Sequence, residues 1–131
     1  MILLDTHAAI WFITDSGLGK RSQVLADEAL ANDCLAVSAS SFWEISMLIA
    51  KRRIRSLESA HRVRKQVLDS GITEVPLTGD IAILAANLDL HGDPADRFIA
   101  ATAITHEATL LTADQRLLGW RNKLRRQNAA N

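Results

Sequence analysis

The chain has a single cysteine, Cys34, in 131 residues. That excludes an intramolecular disulfide framework and any all-cysteine zinc site, and it suits the reducing cytoplasm. No apolar run approaches the ~20 residues that cross a bilayer, so no membrane partner is expected. The opening Met1-Ile2-Leu3-Leu4-Asp5 lacks the basic region of a secretory leader. Internal repeats and low-complexity tracts are missing too. Net charge is missing as well, because 15 Lys+Arg balance 15 Asp+Glu. At first sight a zero sum argues against a nucleic-acid partner, since such domains are usually basic.

What is present changes that reading. Apolar residues make up 48% of the chain, enough at this length for one core without a staple. We expect a single domain over 1–120 and a basic C-terminal tail over 121–131. The zero is a cancellation. Lys51 to Lys65 carries +6, Arg116 to Asn131 carries +5, and the remainder carries −11. One basic run is usually a solvated helix face. Two of them beside an acidic remainder fit a polyanion held by its backbone next to an acidic centre.

Short apolar runs at 1–5, 34–37, 72–77 and 109–111 read as strands, with Pro76 placing the third toward an edge. Helical spacing fills 8–13, 20–32, 38–53, 57–70, 80–90, 94–107 and 114–118. This alternation predicts an α/β domain with a mainly parallel sheet. Ligands of such sheets sit outside the carboxyl ends of the strands.

Four acids fall at those junctions: Asp5, Glu44, Asp96 and Asp114. Each has a bland explanation, because acids are favoured in the first turn of a helix. Ser41-Phe42-Trp43-Glu44 matches a capping box, and Asp93-Pro94-Ala95-Asp96 reads as a cap followed by Pro at the first helical position. Thr112-Ala113-Asp114-Gln115 has a similar spacing. Glu44 resists this explanation. It is the one charge between Ala39 and Ala50, among Phe42, Trp43, Ile45, Met47, Leu48 and Ile49. Such a helix is expected to be buried on nearly all sides, and a buried carboxylate needs a partner, a proton or a cation. Carboxylates without His or Cys companions suit hard divalent ions, Mg²⁺ or Mn²⁺. His7 and His91 lack a metal-ligand spacing and read as helix-start or loop residues.

Together, Leu3-Leu4-Asp5-Thr6-His7, Ser38-x-x-Ser41-x-Trp43-Glu44-Ile45, His91-x-Asp93-Pro94-x-Asp96-Arg97-x-Ile99-Ala100 and Leu111-Thr112-x-Asp114 resemble the PIN domain, and within it the VapC-type ribonuclease toxins. The resemblance covers about residues 1–118, in the family's order. It implies a three-layer α/β/α fold with a central mainly parallel sheet of four to five short strands. It also implies a Mg²⁺- or Mn²⁺-dependent endoribonuclease whose acidic quartet is Asp5, Glu44, Asp96 and Asp114, supported by Thr6 and Thr112. Asp96 or Asp114 would orient or deprotonate the attacking water. Lys51, Arg52, Arg53, Arg97 and the C-terminal arginines are candidates for RNA phosphate contacts. Trp11, Phe12 and Trp120 are candidates for base stacking.

The resemblance further implies a cytoplasmic toxin, a homodimer and a cognate antitoxin seated on Trp11, Phe12, Ile13 and the Val24/Leu25 face. A housekeeping RNA-processing PIN nuclease is the first alternative. A Mg²⁺-binding phosphoacceptor signalling domain is the second. It fits poorly, because Cys34-Leu35-Ala36-Val37-Ser38 offers no acceptor Asp and Leu111-Thr112 no Lys.

Overall fold

In a computed structural model, which describes residues 1–52, 59–90 and 92–131, the described residues form five strands and seven helices. In chain order these are β1 (Ile2–Leu4), α1 (Thr6–Ile13), α2 (Lys20–Ala31), β2 (Leu35–Ser38), α3 (Ala39–Ala50), α4 (Ala60–Asp69), β3 (Thr73–Val75), α5 (Gly79–Asn87), α6 (Pro94–Thr105), β4 (Thr109–Thr112), α7 (Gln115–Gly119) and β5 (Arg125–Asn128). The sheet order is β3-β2-β1-β4-β5, and every pairing is parallel. The α/β expectation is met, with Pro76 directly after an edge strand.

Strand alternation divides the core into two layers. Leu4, Leu35, Val37 and Leu111 face α1, α2 and α4, and pack with Ala9, Ala26 and Val67. Leu3, Ala36 and Leu110 face the other way, onto Ile99, Ala100 and Ala103 of α6. A sheet buried on both faces needs apolar residues at successive positions, which explains the unbroken apolar runs. Helix starts are capped by short polar side chains: Ser59 accepts from Arg62 N at 3.2 Å and Thr78 from Ile81 N at 3.2 Å. Among the described residues no helix is long and apolar enough to cross a membrane.

The expected loose tail over 121–131 is corrected. Arg125–Asn128 pair in parallel with β4, in the register Thr109↔Arg125 to Thr112↔Asn128. Ladder bonds use backbone groups, so a strand rich in polar side chains still pairs where one face meets water. Leu124 and Ala129, just outside the strand, are buried and anchor it. Ala129 N donates to the Thr112 carbonyl at 2.8 Å, and Gly19 N donates to the Ala129 carbonyl at 2.9 Å. Deleting 121–131 is expected to cost about 4 kcal/mol, from burial of Leu124 plus several backbone bonds of about 1 kcal/mol each. Urea denaturation of the shortened chain measures this; an unchanged midpoint would return the segment to the status of a tail.

A second correction concerns α3. Its sequence is apolar almost all round, yet Trp43 is 51% and Met47 38% exposed. The helix lies against the sheet through Ile45, with Phe42, Leu48 and Ile49 partly covered, and turns its remaining apolar side chains to the surface.

Candidate active site

Because all five strands run the same way, their carboxyl ends share one edge. Asp5 follows β1 directly, and its amide donates to the Leu111 carbonyl of β4 at 3.1 Å. Asp5 is also the N-cap of α1, with Oδ1 accepting from Ala8 N at 2.8 Å. Its Oδ2 accepts from the Thr112 hydroxyl at 2.5 Å. That hydroxyl in turn accepts from Asp114 N at 3.1 Å. Both oxygens of Asp5 are thereby fixed, and the carboxylate is buried. Burial raises its pKa above the ordinary carboxyl range; the Thr112 hydroxyl, the Ala8 amide and His7 oppose the rise, and Glu44 adds to it.

Glu44 projects from the second turn of α3. The expected capping box at Ser41 does not form. The helix begins three residues earlier, with Ser38 as N-cap accepting from Ser40 N at 3.1 Å. Glu44 therefore lies beyond the capping positions. Ser41 instead accepts from the Thr6 hydroxyl at 3.1 Å, a buried bond that joins the start of α1 to α3. Asp93 is the N-cap of α6, accepting from Ala95 N at 3.0 Å, with Pro94 at the first helical position. One turn on, Asp96 has a side chain 17% exposed. Its carboxyl is pushed up to about 7, first by burial, then by repulsion from Asp114, Glu44 and Asp93, against the pull of Arg116. Asp114 caps α7, with Oδ1 accepting from Arg116 N at 2.8 Å and Leu117 N at 3.3 Å.

Asp5, Glu44, Asp96 and Asp114 line one cleft of 410 Å³, together with Thr6, His7, Trp11, Asp93 and Arg116. Four carboxylates with oxygen donors only suit a hard divalent ion; burial is the main cause of the upward shifts of Asp5 and Asp96, and repulsion from neighbouring acids adds to both. Among the described residues no three His, Cys, Asp or Glu groups are already gathered into a metal cage. The fit is therefore one of donor chemistry and shared cleft.

Other expected residues sit elsewhere. Arg97 does not face the cleft: its Nη1 donates to the carbonyls of Ala85 and Leu88 at 3.1 and 3.0 Å, closing the end of α5. Both bonds come from one nitrogen, and they make Arg97 a brace for the end of α5. Lys51 and Arg52 are exposed just past the end of α3. Arg53 and His91 lie outside the described residues. Trp11 lines the cleft, whereas Trp120 is pinned by its indole N–H to the Asp89 carbonyl at 2.6 Å. Sequence reasoning passed over Arg116 as a cleft residue. Its position two residues after Asp114, within the first turn of a helix, was the available signal.

Comparison with known proteins points to one family. The PIN domain family matches residues 2–119. Ribonuclease VapC22 of Mycobacterium tuberculosis is 35% identical over 124 residues, covering 92% of each chain. Among solved structures, VapBC2 from Rickettsia felis bound to a promoter DNA fragment aligns at TM-score 0.68 and 19% identity, over 98% of each chain. A toxin–antitoxin complex from Klebsiella pneumoniae aligns at TM-score 0.63 and 22% identity, over 95% of each chain. A five-stranded parallel sheet that gathers four junction acids, a family match across nearly the whole chain and a relative at this identity lead to one conclusion: the chain belongs to the PIN domain family.

Proposed function

We propose that the chain is a divalent-metal-dependent endoribonuclease toxin of the VapC type, held in check by a cognate antitoxin in the cytoplasm. The observation that carries this reading is the convergence of Asp5, Glu44, Asp96 and Asp114, from four different elements, on a single cleft. The 35% identity to a ribonuclease of the same length supports RNA as substrate. These four carboxylates would hold Mg²⁺ or Mn²⁺, which supplies Lewis-acid polarisation of the scissile phosphate and activation of water. Asp5, immobilised by Thr112 and Ala8, is the fixed donor. Thr6 keeps α3 in place through Ser41, and with it Glu44. Asp96, on the first turn of α6 and in the shared cleft, would orient the attacking water and take its proton on a carboxylate oxygen. Without a cation, four acids repel an RNA phosphate.

Two surfaces support the partners. Trp43, Leu77, Pro94 and Phe98 line an apolar cleft, and Trp43, Met47, Leu77 and Ile83 are exposed large apolar groups. Apolar patches of this kind mark protein contacts, and we assign this face to a second copy of the chain. Trp11, Phe12 and Ile13 are half-buried against the core, while Val24 is 54% exposed. Val24 is thus the member of the expected antitoxin face most open to a partner helix.

The test is RNA cleavage by purified protein. Activity should vanish with a chelator and return with added Mg²⁺ or Mn²⁺, whereas chelator-resistant cleavage would refute the metal dependence. Growth arrest on expression, relieved by the product of an adjacent small gene, separates the toxin from a housekeeping nuclease.

A further inference from the structure

Arg116 is the only Lys or Arg among the described residues lining the acidic cleft. Its Nη2 stands 3.5 Å from Asp96 Oδ2 and its Nε 3.8 Å from Asp114 Oδ1. Both distances exceed the roughly 2.7–2.9 Å of a charge-assisted hydrogen bond, so the guanidinium is held by attraction and not by directed bonds. Its side chain is 58% exposed. On its other side lies Gly92, where a Cβ would come within 2.2 Å of Nη1 and where φ is +120°. A residue without a side chain there leaves the guanidinium its berth.

Other arginines of the chain are differently held. Arg97 is bonded to two carbonyls, Arg126 donates to the Leu117 carbonyl at 2.6 Å, and Arg64 grips Glu74 through two bonds of 2.7 and 3.0 Å. Arg116 combines a fixed root with a loose head. Its amide is bonded to the Asp114 cap at 2.8 Å, while its guanidinium touches two of the proposed ligands loosely.

We propose that Arg116 is a two-position residue of the nuclease reaction. It lies across Asp96 and Asp114 until a divalent cation takes those carboxylates, and then turns to a non-bridging oxygen of the RNA phosphate. The inference rests on the nuclease reading above. A dication and a guanidinium cannot share the same carboxylate oxygens without strong repulsion at short range. The head is free to leave, and its root keeps it at the cleft mouth. In the first position it offsets repulsion among the acids. In the second it places a positive charge where phosphate charge develops during attack, without new ordering of the backbone.

The test uses the full chain as wild type, Arg116→Gln and Arg116→Lys. Calorimetry with Mn²⁺ alone should show Arg116→Gln binding the ion about 5-fold more tightly, because a competing positive charge is gone. Binding of a single-stranded 20-nucleotide RNA in Ca²⁺ should weaken in the same variant. Its slope of log affinity against log salt should become shallower by about 0.7, one phosphate contact on a single strand. Arg116→Lys should keep the slope. Tighter Mn²⁺ binding with an unchanged RNA slope would overturn the proposal by leaving a counter-ion alone. Unchanged or weaker Mn²⁺ binding in Arg116→Gln would overturn it by removing the competition. A wild type that binds neither Mn²⁺ nor RNA would instead sink the nuclease reading itself.

Discussion

Asp5→Asn is expected to reduce RNA cleavage by about 10³-fold or more while leaving the urea midpoint of the protein unchanged or slightly raised. The loss follows from the charge. A cation site that stabilises the transition state by several kcal/mol loses most of that when its most rigid anionic donor becomes neutral, and about 4 kcal/mol corresponds to 10³. The retained fold follows from shape. Asn is as good an N-cap as Asp. Its carbonyl oxygen can accept from Ala8 N, and its amide can donate to the Thr112 oxygen in place of the bond that now runs the other way. Burial disfavours the Asp5 charge in the metal-free protein, so removing that charge relieves a cost. Single-turnover cleavage and urea denaturation on one preparation check both halves. Full activity in Asp5→Asn would remove this residue from the site.

Asp96→Asn should have the opposite signs for activity and stability. In the metal-free protein the Asp96 carboxyl titrates at about 7, against 3.8 for the ordinary group. Between those values the folded chain holds a proton that the unfolded chain has released. Stability therefore falls as pH rises through that window, and the penalty is complete above about 7. The full shift corresponds to about 4 kcal/mol. The cleft is open to water, which screens the repulsion, so about 2 kcal/mol is the expected size. Denaturation in chelator at pH 5 and pH 8 should show the wild type weaker at pH 8 by about 1 kcal/mol, the part of that penalty that accrues above pH 5, and Asp96→Asn with a smaller difference. Mg²⁺ should restore much of the wild-type deficit at pH 8 by binding the folded state, and little in the variant. A wild type equally stable at both pH values would contradict the charge crowding on which this rests. Activity of Asp96→Asn should fall, since the proposed proton acceptor is gone.

Much of this site could be read from the chain because two rules act together. Parallel strands put their junctions on one edge, and short apolar runs ending in Asp5, Ser38 and Thr112 mark where those junctions fall. The acids at or near them were legible for the same reason. Glu44 was legible for a reason that proved half right. Its neighbours are apolar, but Trp43 and Met47 face outward, because periodicity cannot say whether a surface is covered by the chain's own core or left for another molecule. The capping box at Ser41 failed because Ser38, at the strand end, caps the helix first. β5 escaped notice because Arg125, Arg126, Gln127 and Asn128 carry no apolar alternation; the signal lay in the buried Leu124 and Ala129 on either side. The roles of Arg97 and Arg116 depend on which carbonyls and carboxylates the fold brings near, and basic composition alone treats them alike.

The bond from Thr112 to Asp5 spans 107 positions of sequence. Contacts of such separation are costly to close early, and they form only when the intervening chain has collapsed around them. The last strand extends this, since Ala129 holds the backbone of Thr112. Until the segment from Thr112 to Ala129 has folded against β1, Asp5 lacks the hydroxyl that orients it. Orientation of the Asp5 carboxylate is therefore a property of the assembled sheet, and local opening of β4 and β5 is enough to loosen it even where β1 and α1 persist.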